Sequence, residues 1–303
     1  MKLNTSIGRE RKGIWTTVKK DYGAWLLGLP ALLCIIITVW NPIVQGIVRS
    51  FFRLQGYTPV EFVGLDNYRL VMGDAFFLSA VKNTFLYIFW SLVLTYLPPV
   101  FLAFAINELR YFKGAFKFIT YLPGMVSAIA TAVIWTMLFR PGENGVANAI
   151  LAHFHISPQS WFEDTRLTIP MIIVASSWQG LGGAVLMYFS SLQTVNAELY
   201  ESAIMDGAGV LRRIWNITIP QVRNMILLMF VQQIISVSQM MIQPLTMTDG
   251  GPMNRSLTLC LQSYYYAFRD MNIDRSLALG VITAILLAVI TSFYHVMDKK
   301  FGE

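Results

Sequence analysis

Few side chains in this 303-residue sequence have the type and spacing to do chemistry. His153 and His155 form one HxH with no cysteine nearby, and Cys34 and Cys260 stand far apart without a CxxC. Neither set has the spacing of a zinc site or a disulfide framework, so no metal is expected. HExxH is absent, as is a buried acidic or Ser/His pair for proteolysis, and so is GxxxxGK[ST], the loop whose amides cradle nucleotide phosphates. The chain by itself is therefore not expected to be an enzyme or to hydrolyse ATP. What remains is polar without being reactive. "MFVQQIISVSQMMIQPL" sets Gln232, Gln233, Ser236, Ser238, Gln239 and Gln243 among apolar neighbours. Gln232 or Gln233, Ser236, and Gln239 or Met240 fall at three- and four-residue spacing, so one stripe can face a helix-bundle interior. Such amides and hydroxyls either glue helices together or line a path for a neutral, hydroxyl-rich solute.

A second polar island is "ELYESAIMDGAG", residues 198–209, which carries Glu198, Glu201 and Asp206 in a chain that otherwise avoids charge. Asn196 reads as the N-cap of a short helix over Ala197–Met205, with Glu198 and Glu201 in its early turns, where the helix dipole favours acids. Gly207 and Gly209 are expected to end it through positive φ. A further amphipathic segment, Val210–Ile217, carries Arg212 and Arg213 before Pro220 closes the unit. Leu199 with Ala203 and Tyr200 with Ile204 pair across one turn of a helix too short to be stable alone. Its acids would be repelled by anionic headgroups, so it is expected to dock on a protein groove.

The elements that must position these residues follow from composition: 55% apolar, 14% aromatic and 13% charged, against about 25% charged in a soluble domain. Six runs lack Asp, Glu, Lys and Arg: Tyr22–Val48, Asn83–Asn107, Phe118–Phe139, Leu167–Ala197, Asn224–Thr248 and Ser276–Met297. Each reaches the about 20 residues that cross a hydrocarbon core as helix, and none shows the alternation of a barrel strand. An all-α, polytopic membrane protein with six transmembrane helices is expected. The first run is too long for a signal-peptide core and lacks a cleavage site, so it stays a span.

With the N-terminus inside, 14 of the 23 basic residues fall on inside segments at about twice the outside density, the positive-inside bias. They include Lys2, Arg9, Arg11 and Lys12 at the start, Arg110 and Lys113, Arg212 and Arg213, and Lys299 and Lys300 at the end. Both termini are thus placed in the cytoplasm, residues 1–21 form a basic N-terminal segment, and 22–303 form the six-helix domain. The net charge of +6 is a topology signal, and nucleic acid need not be invoked. No run holds an ionisable group at depth, which disfavours a proton-coupled pump. In the fourth run, "SSWQGLGGAVLMYF", Gly180, Gly182 and Gly183 either let helices approach closely or leave room for a ligand, with Trp178 as a stacking surface and Gln179 as a hydrogen-bonding group.

Glu201-Ser202-Ala203, three residues, Gly207, nine residues, Ile217-Thr218-Ile219-Pro220 resembles the EAA loop of binding-protein-dependent ABC importer permeases. Ser202 replaces the usual Ala, Ile219 the usual Leu, and Asn224 stands where a further proline is common. "FVGLDNYRLV" from Phe62, "NTFLY" from Asn83, "YLPGMVS" from Tyr121 and "TDGGPMNRSLTL" from Thr248 are similar to the carbohydrate subgroup, in particular the maltose-type first permease. The similarity covers essentially the whole chain after residue 20. It implies a type I importer permease fold in a bacterial cytoplasmic membrane. The implied partners are a second homologous permease, two copies of an ABC ATPase that uses ATP and Mg, an extracytoplasmic solute-binding protein and the surrounding lipid. No cofactor is expected on this chain. It further implies that residues 194–222 form the ATPase-coupling loop through Glu201, Ser202, Ala203, Asp206, Gly207 and Pro220. The substrate path is then expected at Gln179, Gly183, Gln233, Ser236 and Met240. Several of these positions depart from the maltose-type pattern, and Gly183 leaves space for a larger glycan. The alternatives are a permease for a non-sugar solute such as glycerol phosphate, although no buried Arg or Lys is available for a phosphate, or a secondary transporter without an ATPase.

Overall fold

The computed structural model describes residues 22–109, 111–143 and 145–301. The expected basic segment 1–21 and the inside Arg110 lie outside the described residues, as do the side chains of Lys299 and Lys300.

The described residues are mostly helical. α1 (Tyr22–Ile35) runs through a π-turn into α2 (Asn41–Arg49). A two-stranded antiparallel hairpin, β1 (Phe52–Gln55) and β2 (Thr58–Phe62), turns at Gly56, whose φ of +59° favours glycine. α3 (Asp66–Met72) leads to α4 (Phe77–Leu94) and α5 (Leu97–Glu108), then α6 (Lys113–Tyr121), a 3₁₀ turn and α7 (Ala128–Leu138). α8 (Val146–His153) lies in the next connection, before α9 (Thr168–Leu192). α10 (Ala197–Met205) and α11 (Val210–Arg213) precede α12 (Ile219–Ser238), α13 (Ile242–Thr248), α14 (Leu259–Phe268) and α15 (Ile273–Phe301).

Among the described residues, five stretches are long and apolar enough to cross a membrane: Leu26–Arg49, Phe77–Glu108, Thr168–Leu192, Val210–Ser238 and Ile273–Ser292. The third apolar run is a sixth only as a broken pair, α6 and α7, which meet at 94°. Pro123 and Gly124 occupy the intervening 3₁₀ turn, and Ser127 caps α7 by accepting from the Ala130 amide. The hairpin was not foreseen: its strands are four and five residues long, too short for a periodic signal.

Two further departures have a common cause in proline, which lacks an amide donor and clashes inside a helix. Pro220 was expected to close the loop. Instead a π-turn over Ile214–Thr218 widens the helix just before the ring, and the helix runs unbroken from Val210 to Ser238. The same device, Ile36–Trp40, precedes Pro42. The fifth run was expected to stay helical to Thr248, yet it stops at Ser238 and restarts as α13, so that Pro244 falls in a first turn where no amide is needed. The Met240 carbonyl, which a continuous helix would have left facing Pro244, accepts a hydrogen bond from Thr258 Oγ1 at 2.7 Å instead.

Among the described residues, three apolar clusters hold these helices. One joins Tyr68 and Val71 of α3 to α14 and α15, a second packs Tyr87 and Val237 on Ile172 and Ile173, and a third packs Val100 and Phe104 on Val185, Tyr188 and Val222. The family-like stretches meet here. Asn67 of "FVGLDNYRLV" donates to the Ser50 and Phe52 carbonyls, pinning the hairpin. Asn83 of "NTFLY" reaches 174 positions along the chain to the Leu257 carbonyl at 3.0 Å, and also holds that of Asn254. Tyr87 donates to the Ser256 carbonyl, and Thr84 accepts from the Leu259 amide.

Candidate functional site

Two places combine the expected residues. The first is a cavity of about 130 Å³ between α9 and α12, at the level of the break between α4 and α5. Gln233, Ser236 and Met240 line it from α12 and its end, opposite Ser176, Ser177 and Gly180 of α9. Thr95 closes one wall, because Pro98 and Pro99 interrupt the helix there and leave Thr95 outside it. Gln233 donates from Nε2 to Thr95 Oγ1 at 3.2 Å, and Ser176 makes a long 3.9 Å contact to the Met240 sulfur. The lining carries no ionisable side chain. The cavity has room for about four waters at about 30 Å³ each, well below the roughly 300 Å³ at which small-molecule pockets begin. In this conformation the space between α9 and α12 is too small for a drug-sized solute.

Gln179 and Gly183 do not line this cavity. Gln179 is half-buried and donates to the Val126 carbonyl at 2.7 Å, so it holds the bend between α6 and α7. Gly183 faces open space, with nothing within 4 Å of where a Cβ would sit, and so does Gly180. Gly182 is the close-approach position: a Cβ there would come 2.5 Å from the Thr120 carbonyl oxygen, against the backbone of α6. Trp178 meets the edge of Trp135, which itself stacks on Phe139 at 5.2 Å. Thr95, Ser176 and Ser177 were missed by sequence reasoning; the signal for Thr95 was a hydroxyl beside a doubled proline in an apolar run.

The second place is the loop around α10. The helix spans Ala197–Met205, and the Asn196 side chain accepts from the Glu198 amide at 3.0 Å. Its end is a Schellman arrangement. The Ala208 amide bonds to the Ala203 carbonyl, the Gly207 amide to that of Ile204, and Gly207 takes φ +74°. Gly209 does not share that role, as its φ is −67° and it opens α11 instead. Glu201, Ser202, Asp206, Gly207 and Pro220 are exposed and Ala203 is half-buried. Beside them stand Met205 at 87%, Leu211 at 73% and Trp215 at 66% exposure. Acids flanking protruding apolar side chains suit a protein partner with a basic-rimmed groove better than lipid. Two contacts root the loop: Tyr200 shares a 2.9 Å hydrogen bond with Thr218, and Arg213 pairs with Glu108 at 3.1 Å.

At the hairpin end, Asp249 adopts a left-handed φ of +48° after α13. Arg269 donates to both its carboxylate oxygens, at 2.6 and 2.7 Å, and lies over the Tyr265 ring, whose hydroxyl donates to Asp249 at 2.8 Å. The Arg269 guanidinium, helped by the tyrosine hydroxyl, holds the Asp249 carboxyl below its ordinary range despite the opposing effect of burial.

Residues 100–303 match the family model described as binding-protein-dependent transport system inner membrane component. Among known proteins, the arabinooligosaccharides transport system permease protein AraP of Bacillus subtilis is 29% identical over 94% of this chain and 91% of its own length. The lactose transport system permease protein LacF of Rhizobium radiobacter is 27% identical over 92% of this chain and 96% of its own. A crystal structure of a bacterial alginate ABC transporter, in complex with a periplasmic protein carrying an alginate pentasaccharide, contains a chain that superposes with a TM-score of 0.81. The two share 23% identity, over 95% of this chain and 98% of that one, a likeness of fold.

Proposed function

The chain belongs to the binding-protein-dependent transport system inner membrane component family, and on that premise we propose that it is the permease subunit of an ATP-driven importer for a sugar or oligosaccharide. The sugar reading is supported by the transport roles that the names of AraP and LacF state for those proteins. It agrees with a cavity lined by amide, hydroxyl and thioether groups and free of charge. That lining also argues against a phosphate ester, which would call for a buried cation, and against ion-coupled transport.

On this reading residues 22–303 form one permease domain, both termini are cytoplasmic, and 194–222 form the loop that the ATPase grips through Glu201, Ser202, Ala203, Asp206, Gly207 and Pro220. Energy must come from such a partner, because the chain has neither a phosphate-binding loop nor an ion relay. A second permease completes the path, two ATPase subunits bind ATP and Mg, and a solute-binding protein delivers the sugar. The alginate transporter complex with its periplasmic protein supports the last partner by analogy. Gln233, Ser236 and Met240 would meet the solute once α9 and α12 part. Gln179 and Gly183 would take part only if that movement turned their face of α9 inward.

The observation that carries this reading is the capped, solvent-exposed helix α10, whose loop leads through one uninterrupted helix to the cavity wall. The test is uptake of labelled oligosaccharides into liposomes holding the purified complex. Accumulation should require ATP and the binding protein, and Gln233→Leu should lower it while leaving the subunits assembled. Uptake by this chain without an ATPase would refute the reading.

A further inference from the structure

A groove lies apart from the cavity between α9 and α12. α2 and α15 pack antiparallel, and between them runs an apolar groove of about 760 Å³. Its floor on α15 is Gly280, Ala284 and Ala288 at four-residue spacing, continuing the line of Ser276; its walls include Ile43, Ile47 and Ile285. Nothing lies within 4 Å of where a Gly280 Cβ would point, so the floor is open. Two serines border it, yet Ser263 and Ser276 bond to one another at 2.9 Å and to each other's carbonyls. The groove is therefore apolar in effect. From residue 276 to 288 it extends about 18 Å, slightly more than one leaflet's share of a roughly 30 Å hydrocarbon core.

At the hairpin end a smaller cavity of about 230 Å³ continues this groove, sharing Pro42, Gly46 and Leu277 with it. Here the lining changes character. Arg49, Gln45 and Tyr57 surround it, at the level where the span ends. Arg49 is half-buried and has no ion pair or hydrogen bond to a side chain among the described residues. An apolar slot that opens at its end onto an amide, a phenol and an unneutralised guanidinium offers surfaces for an acyl chain, a glycerol ester and a phosphate. A transmembrane helix fits less well. An apolar transmembrane helix would leave the Arg49 guanidinium without an anion.

We propose that this groove is a binding site for an anionic phospholipid of the leaflet on the hairpin side, with one acyl chain along Gly280–Ala288 and its phosphate on Arg49. The site is tested by native mass spectrometry of the full-length chain, released from detergent with dioleoyl phosphatidylglycerol or dioleoyl phosphatidylcholine added. The wild type should retain phosphatidylglycerol in preference. Arg49→Gln should weaken that retention about tenfold, in line with loss of a charged hydrogen bond, while Arg49→Lys restores part of it. Gly280→Leu should reduce retention of both lipids by filling the slot. Equal retention of the two lipids by the wild type, or retention unchanged in Arg49→Gln, would overturn the proposal. So would a Gly280→Leu chain that keeps its lipid but no longer joins the second permease, since the groove would then be a subunit interface.

Discussion

Gly207 and Gly209 stand two residues apart in the exposed loop, and substitution should separate them sharply. Nothing lies within 4 Å of a Cβ built on either, so neither site carries a steric cost. The difference is backbone alone. Gly207 sits at φ +74°, where an L-residue costs about 1–2 kcal/mol, whereas Gly209 sits at φ −67°, open to any residue. At about 1.4 kcal/mol per factor of ten, Gly207→Ala or Gly207→Val should shift the balance between the capped and the frayed loop about five- to thirtyfold toward fraying. Gly207→Asn should do much less, since asparagine tolerates that region, and Gly209→Ala should change stability by less than about 0.5 kcal/mol. Amide hydrogen exchange over 197–208, measured on the purified chain, reads the effect directly. Retention of the ATPase and oligosaccharide uptake then read its consequence, with valine at 207 the most impaired. If Gly207→Val exchanged no faster than Gly209→Val, the argument from positive φ would fail. If it exchanged faster while ATPase retention and uptake stayed whole, the loop would not be the coupling element.

Other expectations follow from single contacts. Gly182→Ala should destabilise the chain by about 1–3 kcal/mol, because its Cβ meets the backbone of α6, while Gly183→Ala should be neutral or slightly stabilising; thermal unfolding in detergent separates them. Asn83→Ala strips donors from two carbonyls of the 250–258 loop and should cost about 2–4 kcal/mol, with faster proteolysis of that loop as a second readout. The Asp249 carboxyl is held below its ordinary 3.8 in the fold, so its contribution to stability is complete above that value and is lost as pH falls through the lower folded value. The fall in unfolding temperature on acidification to about pH 3 should therefore be smaller in Asp249→Asn than in the wild type.

What could be read from the sequence was local or compositional. Six uncharged runs marked the spans, because the cost of a charge in hydrocarbon is written in composition. Asn196 and Gly207 marked α10, because capping is settled within a few residues. The same rule set the start of the fifth helix too late: Arg223 bounded the uncharged run, yet backbone bonding ignores side-chain charge and carries the helix from Val210. Which of Gly180, Gly182 and Gly183 met a neighbour was not legible either. One residue turns a helix face by about 100°, and only packing against α6 singles out Gly182. For the cavity, periodicity located a stripe of Gln232 or Gln233, Ser236, and Gln239 or Met240, without choosing within each pair. It could not show that Gln179 is committed to the Val126 carbonyl, a partner 53 positions away.

The unbroken helix from Val210 to Ser238 makes the protein a lever. Its short arm, α11 with the π-turn after it, is tied to α5 by Arg213 and Glu108 and to α10 by the bond between Tyr200 and Thr218. Gln233 lies 23 residues up the long arm, about 35 Å from Val210 at 1.5 Å per residue. A tilt of only about 5° at the base swings Gln233 by roughly 3 Å, comparable to the width of a water layer and to its bond with Thr95. On the proposed coupling, a subunit that grips the loop moves the wall of the cavity without touching it, through a helix that stays continuous across the π-turn at Ile214–Thr218.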